Sequence, residues 1–218
     1  MESNMNNHPL YLSPCIPLDN FGNKIIKRGF DIAFSLVFLC TIFPFILVVV
    51  LIVTECTMPG KLFFVQKRTG LRGNTFKCYK FRTMKENADS DRLQATRNDV
   101  RITRWGHLLR KTNLDETPQF INVLIGNMSV VGPRPHMVKH TEEYSRQING
   151  YMMRHWIKPG ITGWSQVNGF RGETKRLADM RNRIKYDIWY IDHWSFLLDL
   201  YIIRKTFTKC FYNDRNAY

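Results

Sequence analysis

No charged residue interrupts the chain between Ile32 and Val53, IAFSLVFLCTIFPFILVVVLIV. A run of this kind passes the ~18 apolar residues at which a segment becomes a membrane-helix candidate. It is apolar on all sides, which a helix in a soluble core rarely is. Pro44 stands in its middle. Proline lacks the backbone N–H and its ring clashes with the preceding turn, so a helix here kinks or breaks. Basic residues flank both ends: Lys24, Lys27 and Arg28 before, Lys61, Lys67, Arg68 and Arg72 after. Positive flanks mark the cytoplasmic side of a membrane, and here both ends carry them. A kinked span satisfies one flank. A helix that enters, breaks at Pro44 and returns to the same face satisfies both, provided that protein shields the broken backbone. Residues 24–55 therefore read as a re-entrant membrane helix-break-helix.

The remaining chain divides around that segment. Residues 1–23 are polar and hold Pro9, Pro14 and Pro17, reading as a flexible N-terminal tail without signal-peptide features. Residues 56–212 read as one further domain on the side of the basic flanks, and 213–218 as a C-terminal tail. The expected class is α+β, mostly helical. LFFVQ and TFKCYKFRTM are strand-like runs around Gly70-Leu71-Arg72-Gly73, predicting a small β-hairpin on which Lys80 and Arg82 share a face. Lys85–Asn98 is charged and reads as a loop or short exposed helix. Helices are predicted over Thr103–Lys111, His136–Ile148 and Glu173–Asp192. Trp194–Tyr212 alternates bulky apolar and basic residues, which suits an interfacial amphipathic helix or a helix of the core.

The chemistry concentrates in Arg110–Pro135, RKTNLDETPQFINVLIGNMSVVGPRP. Asp115 and Glu116 precede a helical pattern. Asn113 with Glu116 fits a capping box, and Pro118 suits the first turn. Carboxylates there would sit where a phosphate also binds. Gly132-Pro133-Arg134-Pro135 is a stiff turn that can present one guanidinium in a fixed direction. Arg110 lies upstream. Lys158 and Arg171 lie in the turn-rich HWIKPGITGWSQVNGFRGET and are the cations expected near substrate. A formal net charge of +14 calls for an anionic partner or surface. The arginines gather around one acid pair rather than forming a basic stripe with stacking aromatics, so nucleic acid is not the expected partner. The five cysteines are scattered, with no C-x-x-C pair, which argues against a structural zinc or a disulfide framework. Three classes stay open on these residues: phosphoryl transfer at a membrane, a non-enzymatic basic membrane adaptor, and a single-span hydrolase using the acid pair as acid and base. Adjacent residues diverge in direction, which suits a nucleophile beside a metal ligand better than two carboxyls flanking a bond.

Taken in order, KRGFD, QKRTG, FKCYKFRTM, ITRWGHLLRKTNLDETPQFINVLIGNMSVVGPRP, IKPGITGWSQVNG and YDIWYIDHWSFLLDL resemble the bacterial sugar transferases, the monotopic polyprenyl-phosphate phosphoglycosyl transferases. The resemblance implies a two-step exchange at the cytoplasmic face of the bacterial inner membrane, starting exopolysaccharide, capsule or O-antigen assembly. Asp115 would attack the sugar-linked phosphate of a UDP-sugar and expel UMP. A polyprenyl (undecaprenyl) phosphate would then take the sugar 1-phosphate from Asp115. Glu116, with Asp115, would hold Mg²⁺. Arg110, Arg134 and Arg171 would clamp phosphate oxygens, with Lys80, Arg82 and Lys158 as further contacts. Membrane lipid is a second expected partner, and a homo-oligomer is compatible with the pattern. Two positions depart from it. Phe43-Pro44 stands where Ser-Pro is frequent, and Phe170 follows Asn168-Gly169 where some short members have arginine, which moves that role to Arg171. No spanning helices or extra domain precede Lys24, so a short form or the catalytic part of a longer protein is expected.

Overall fold

The computed structural model describes residues 16–85, 99–172, 174 and 176–211. The proposed tail at 213–218 and most of the charged Lys85–Asn98 segment lie outside them, as does the first part of the 1–23 tail. The rest of that tail is folded, which corrects the boundary. Leu18 is buried, Asn23 Nδ2 donates to the Pro17 carbonyl at 2.7 Å, and Asn20 accepts from the Gly22 and Asn23 amides. That cap starts helix α1 at Phe21 rather than Lys24.

Helix α1 runs Phe21–Thr41 and α2 runs Phe43–Thr57. They are bent by 51°, and no single helix among the described residues is long and apolar enough to cross a membrane. The bend centres on Ile42, two residues ahead of the proline expected to make it. Pro44 lies in the first turn of α2, where its missing N–H costs little, and its ring disturbs the turn before it.

The same folded body grips both ends of this bent pair. On α1, buried Lys27 donates to Asp199 at 2.7 Å, and Asp31 Oδ1 accepts from Ser129 Oγ and the Val130 amide, each at 2.9 Å. On α2, Trp105 Nε1 donates to Thr54 Oγ1 at 3.2 Å, and the Arg82 guanidinium donates to the Met58 carbonyl. Phe43 and Val50 pack with Phe81 and Leu109. The other side of the pair leaves Val37, Phe45, Val48, Val49 and Ile52 more than half exposed.

Strands β1 (Phe63–Thr69) and β2 (Thr75–Phe81) form the expected antiparallel hairpin, in register from Phe63↔Phe81 to Thr69↔Thr75. The chain then continues through α3 (Arg104–Thr112), α4 (Gln119–Ile125), β3 (Ser129–Val131), α5 (Val138–Gln147), β4 (Gly160–Thr162), α6 (Trp164–Val167), α7 (Leu177–Asp192) and α8 (Phe196–Phe211). β3 and β4 pair in parallel, a contact the sequence reading missed. Gly160 is obligatory there, because a Cβ would fall 2.0 Å from the Gly132 nitrogen. The largest core cluster joins Phe120 and Val123 of α4, Val130 and Val131 of β3, Tyr190 of α7 and Ile202 of α8.

Helix α8 has two characters. Its Asp199 side is core: that carboxylate is 0% exposed and accepts from Lys27, Tyr190 and Trp194. Leu197 and Tyr201 on its opposite side are exposed, as is Phe207 near its end.

Candidate active site

Helix α3 ends at Thr112, and Asn113 takes the left-handed conformation, φ 61° and ψ 14°. The chain reverses there into a 3₁₀ turn, Leu114–Glu116, closed by Thr117 Oγ1 on the Leu114 carbonyl at 2.7 Å. Pro118 follows, and α4 starts at Gln119. The expected capping box is therefore absent. Asn113 makes no side-chain cap on this turn, and Glu116 turns to cations instead, since charge-assisted bonds are stronger than a neutral cap.

Glu116 is the better-held acid. Lys80 Nζ donates to its Oε1 at 2.7 Å. Arg134 donates through Nη2 to Oε1 at 2.6 Å and through Nη1 to Oε2 at 2.9 Å. Arg171 Nη2 lies 3.6 Å from Oε2. Burial alone would raise the pKa of this group, but Arg134, then Lys80 and Arg171, bring it well below the usual carboxylate range. Asp115 is equally buried, yet no hydrogen bond to its carboxylate forms among the described residues. Burial lifts its pKa to about 6; Lys80 opposes, Glu116 adds, and Arg110 and Arg134 oppose again. One acid is thus locked as a permanent anion, while its neighbour stays uncommitted.

The turn that presents Arg134 is held at four consecutive carbonyls by four separate groups. Pro133 O accepts from the Gly160 amide at 2.9 Å, and His136 O from the Thr69 amide at 3.0 Å. Arg134 O accepts from Arg154 Nη2 at 2.8 Å, and Pro135 O from Arg68 Nη1 at 3.3 Å. Two of the four turn residues are prolines without donors, so carbonyls are what the surroundings can hold.

The sequence profile described as "Bacterial sugar transferase" matches residues 22–213. The chain belongs to the bacterial sugar transferase family. It is 47% identical over 207 residues, 94% of this chain and 43% of the relative, to the Escherichia coli K12 protein named UDP-glucose:undecaprenyl-phosphate glucose-1-phosphate transferase. A protein of the same name from Klebsiella pneumoniae is 49% identical, covering 96% of this chain and 44% of its own. An Aeromonas hydrophila relative, named UDP-N-acetylgalactosamine-undecaprenyl-phosphate N-acetylgalactosaminephosphotransferase, is 39% identical over 83% of this chain and 42% of its own. The chain thus spans less than half the length of these relatives.

Of the cations expected around the acids, the fold brings Lys80, Arg110, Arg134 and Arg171 to them. Arg110 acts on Asp115 through charge while its Nε donates to Thr83 Oγ1 at 2.9 Å. Two of the expected cations stand elsewhere. Arg82 is buried and bonded at the C-terminal end of α2. Lys158 stands with Arg28 beside Gly126, at the opposite end of α4 from the acids, where Arg28 caps the Val123 and Leu124 carbonyls at 2.6 and 2.8 Å. Strand alternation could place Arg82 on a face but not say which neighbour fills it. Sequence reading also passed over Arg154 and Asp187. A signal existed for the second, a carboxylate inside the apolar run YDIWYI.

A cavity of about 680 Å³ opens beside Glu116 and Arg171. Lys111 and Thr112 also line it, and its walls carry Phe34 and Phe38 of α1, Phe120 of α4 and Phe207 of α8. No group of three or more metal-ligating side chains occurs among the described residues. Asp115 and Glu116 can offer two carboxylates, which fits Mg²⁺, an ion commonly held by one or two carboxylates with waters and substrate phosphates.

Proposed function

We propose that this chain transfers a sugar 1-phosphate from a UDP-sugar to a polyprenyl phosphate through a covalent aspartyl phosphosugar on Asp115. The observation that carries the reading is the asymmetry of the acid pair. Asp115 makes no hydrogen bond among the described residues, while its neighbour is neutralised by Lys80 and Arg134.

In the first step an Asp115 carboxylate oxygen forms a bond to the sugar-linked phosphorus. The phosphoanhydride bond breaks and its electron pair leaves with UMP. In the second step an oxygen of the polyprenyl phosphate bonds to the same phosphorus, and the acyl phosphate bond breaks to regenerate ionised Asp115. Neither step needs a strong base, since both nucleophiles are anions. Arg110, Arg134 and Arg171 are suited to hold phosphate oxygens as charge shifts to the leaving group. Mg²⁺ held by Glu116 and Asp115 would supply further neutralisation of the diphosphate. Two exchanges at one carboxylate let a soluble donor and a lipid acceptor use the same site in turn.

The acceptor end has a matching cavity. A phosphate near Arg171 and Lys111 would leave the first isoprene units against Phe34, Phe38, Phe120 and Phe207. The bent pair α1–α2 is proposed to dip into the membrane and return. Both its ends are bonded to one folded body, and a span would have to part them. A symmetric dip with the observed bend of 51° inclines each leg by about 25°. A 21-residue α1, about 31 Å long, then reaches at most about 13 Å into a ~30 Å hydrocarbon core. The catalytic body would lie on the cytoplasmic face.

UDP-glucose is the donor to test first, because two of the three relatives above carry it in their names. The test is reconstituted protein in lipid nanodiscs with UDP-glucose and Mg²⁺, without acceptor. A burst of one UMP per active site and a mass increase on the peptide containing Asp115 are expected. UMP release only when acceptor is present would overturn the covalent step.

A further inference from the structure

The bidentate contact between Arg134 and Glu116 depends on where the Arg134 backbone sits. Its carbonyl is held by Arg154, a guanidinium only 2% exposed. Arg154 is itself fixed: Nε and Nη2 donate to Asp187 Oδ2 at 3.0 and 2.7 Å. The other oxygen of Asp187 accepts from Ser165 Oγ at 2.7 Å. Arg154 Nη1 has no acceptor among the described residues. The guanidinium's short hydrogen bonds go to Asp187 and the Arg134 carbonyl, and the Tyr151 ring lies against its face at 5.6 Å. Three elements meet here: Arg154 from the 3₁₀ turn Tyr151–His155, Ser165 from α6 and Asp187 from α7. The same 3₁₀ turn also braces the next residue but one, with His136 Nδ1 and Tyr151 Oη 2.6 Å apart.

Burying an ion pair is a costly way to gain stability, since well-packed apolar residues often do as well. What an apolar replacement could not supply is a donor aimed at one carbonyl. We infer that Arg154, oriented by Asp187 and Ser165, is a positioning residue that sets the direction of the Arg134 guanidinium onto Glu116 and the donor diphosphate. Arg154 touches neither acid. Its effect passes through the Arg134 backbone, and this inference rests on the reading of Glu116 and Arg134 as parts of the reaction site. A shift of about 1 Å in a clamp can cost on the order of a hundredfold in rate.

A loosened Arg134 no longer meets both Glu116 oxygens at once, so the effect should fall on the rate of the first transfer more than on the binding of UDP-glucose. The test compares Arg154→Lys and Ser165→Ala with the parent in nanodiscs, measuring UMP release from UDP-glucose with Mg²⁺. Lysine keeps the charge opposite Asp187 but lacks the planar fork. The expected result for Arg154→Lys is kcat down 10- to 100-fold, with KM for UDP-glucose changed less than threefold and melting temperature within a few degrees of the parent's. For Ser165→Ala a smaller fall in the same direction is expected, with melting temperature close to the parent's. A loss of rate that only tracks the loss of folded protein would overturn the inference. So would full activity in Arg154→Lys. Arg134→Ala separates the two levels. If it is fully active, the underlying reading fails; if it is inactive while Arg154→Lys is not, only the positioning role fails.

Discussion

Arg134 meets Glu116 end-on, Nη2 donating to Oε1 at 2.6 Å and Nη1 to Oε2 at 2.9 Å, while Lys80 donates to the same Oε1 at 2.7 Å. Glu116 thereby accepts three charge-assisted bonds, while Asp115 accepts none among the described residues. Most expectations about catalysis follow from that division of labour.

Asp115→Asn is expected to lower UMP release by at least about a thousandfold, the scale on which losing a nucleophile is felt. Stability should move the other way. The folded pKa of about 6 lies above the ordinary 3.8, so the parent loses stability as pH rises through that interval. The neutral amide does not. Thermal melts should therefore place the variant above the parent at pH 7.5, by about 1–3 kcal/mol, and close to it at pH 4.

The pH dependence of kcat/KM for UMP release should carry an acid limb near pH 6, because the raised carboxyl of Asp115 must lose its proton to attack. Glu116, held low by Arg134 and Lys80 against burial, stays ionised across this window. Rates measured from pH 5 to 8 check this, and a flat profile would speak against Asp115 as the group that titrates.

Arg134→Ala should cost rate far more than folding. Glu116 keeps Lys80 and has Arg171 at 3.6 Å, so the carboxylate is not stranded, and the loss of stability is expected at about 1–2 kcal/mol, below the 3–5 of a fully broken buried pair. The rate of UMP release should fall by about 10²–10³. Denaturation and turnover assays on one preparation separate the two.

Phe207→Glu tests the acceptor cavity. A carboxylate on that wall should raise the KM for polyprenyl phosphate about tenfold or more, by repelling its phosphate and charging an apolar surface. The acceptor-independent UMP burst should be unchanged. A matching rise in the KM for UDP-glucose would assign the cavity to the donor.

Single cysteines at Asp19 and Lys61, introduced into a cysteine-depleted background, flank the bent pair. Both are expected to react with an impermeant maleimide only from the cytoplasmic side. Labelling from opposite sides would replace the dip with a span.

The elements were largely legible in the sequence because their signals are local. An uncharged run with Pro44 in it gives a bent apolar helix pair, paired strand-like runs around Gly70–Gly73 give the hairpin, and the alternation in TFKCYKF gives its faces. Asp115, Glu116 and the cations Arg110, Arg134 and Arg171 stood out in the residues themselves, and the family resemblance supplied their roles. What only the tertiary structure decided is where each long cationic side chain ends. Lys27 finds Asp199 across 172 positions, Arg154 finds Asp187 across 33, Arg82 turns to Met58, and Lys158 stays at the far end of α4. A guanidinium or ammonium on a flexible stem can reach in many directions, and no local period fixes the choice. Packing does, because a buried charge is stable only where an acceptor already waits.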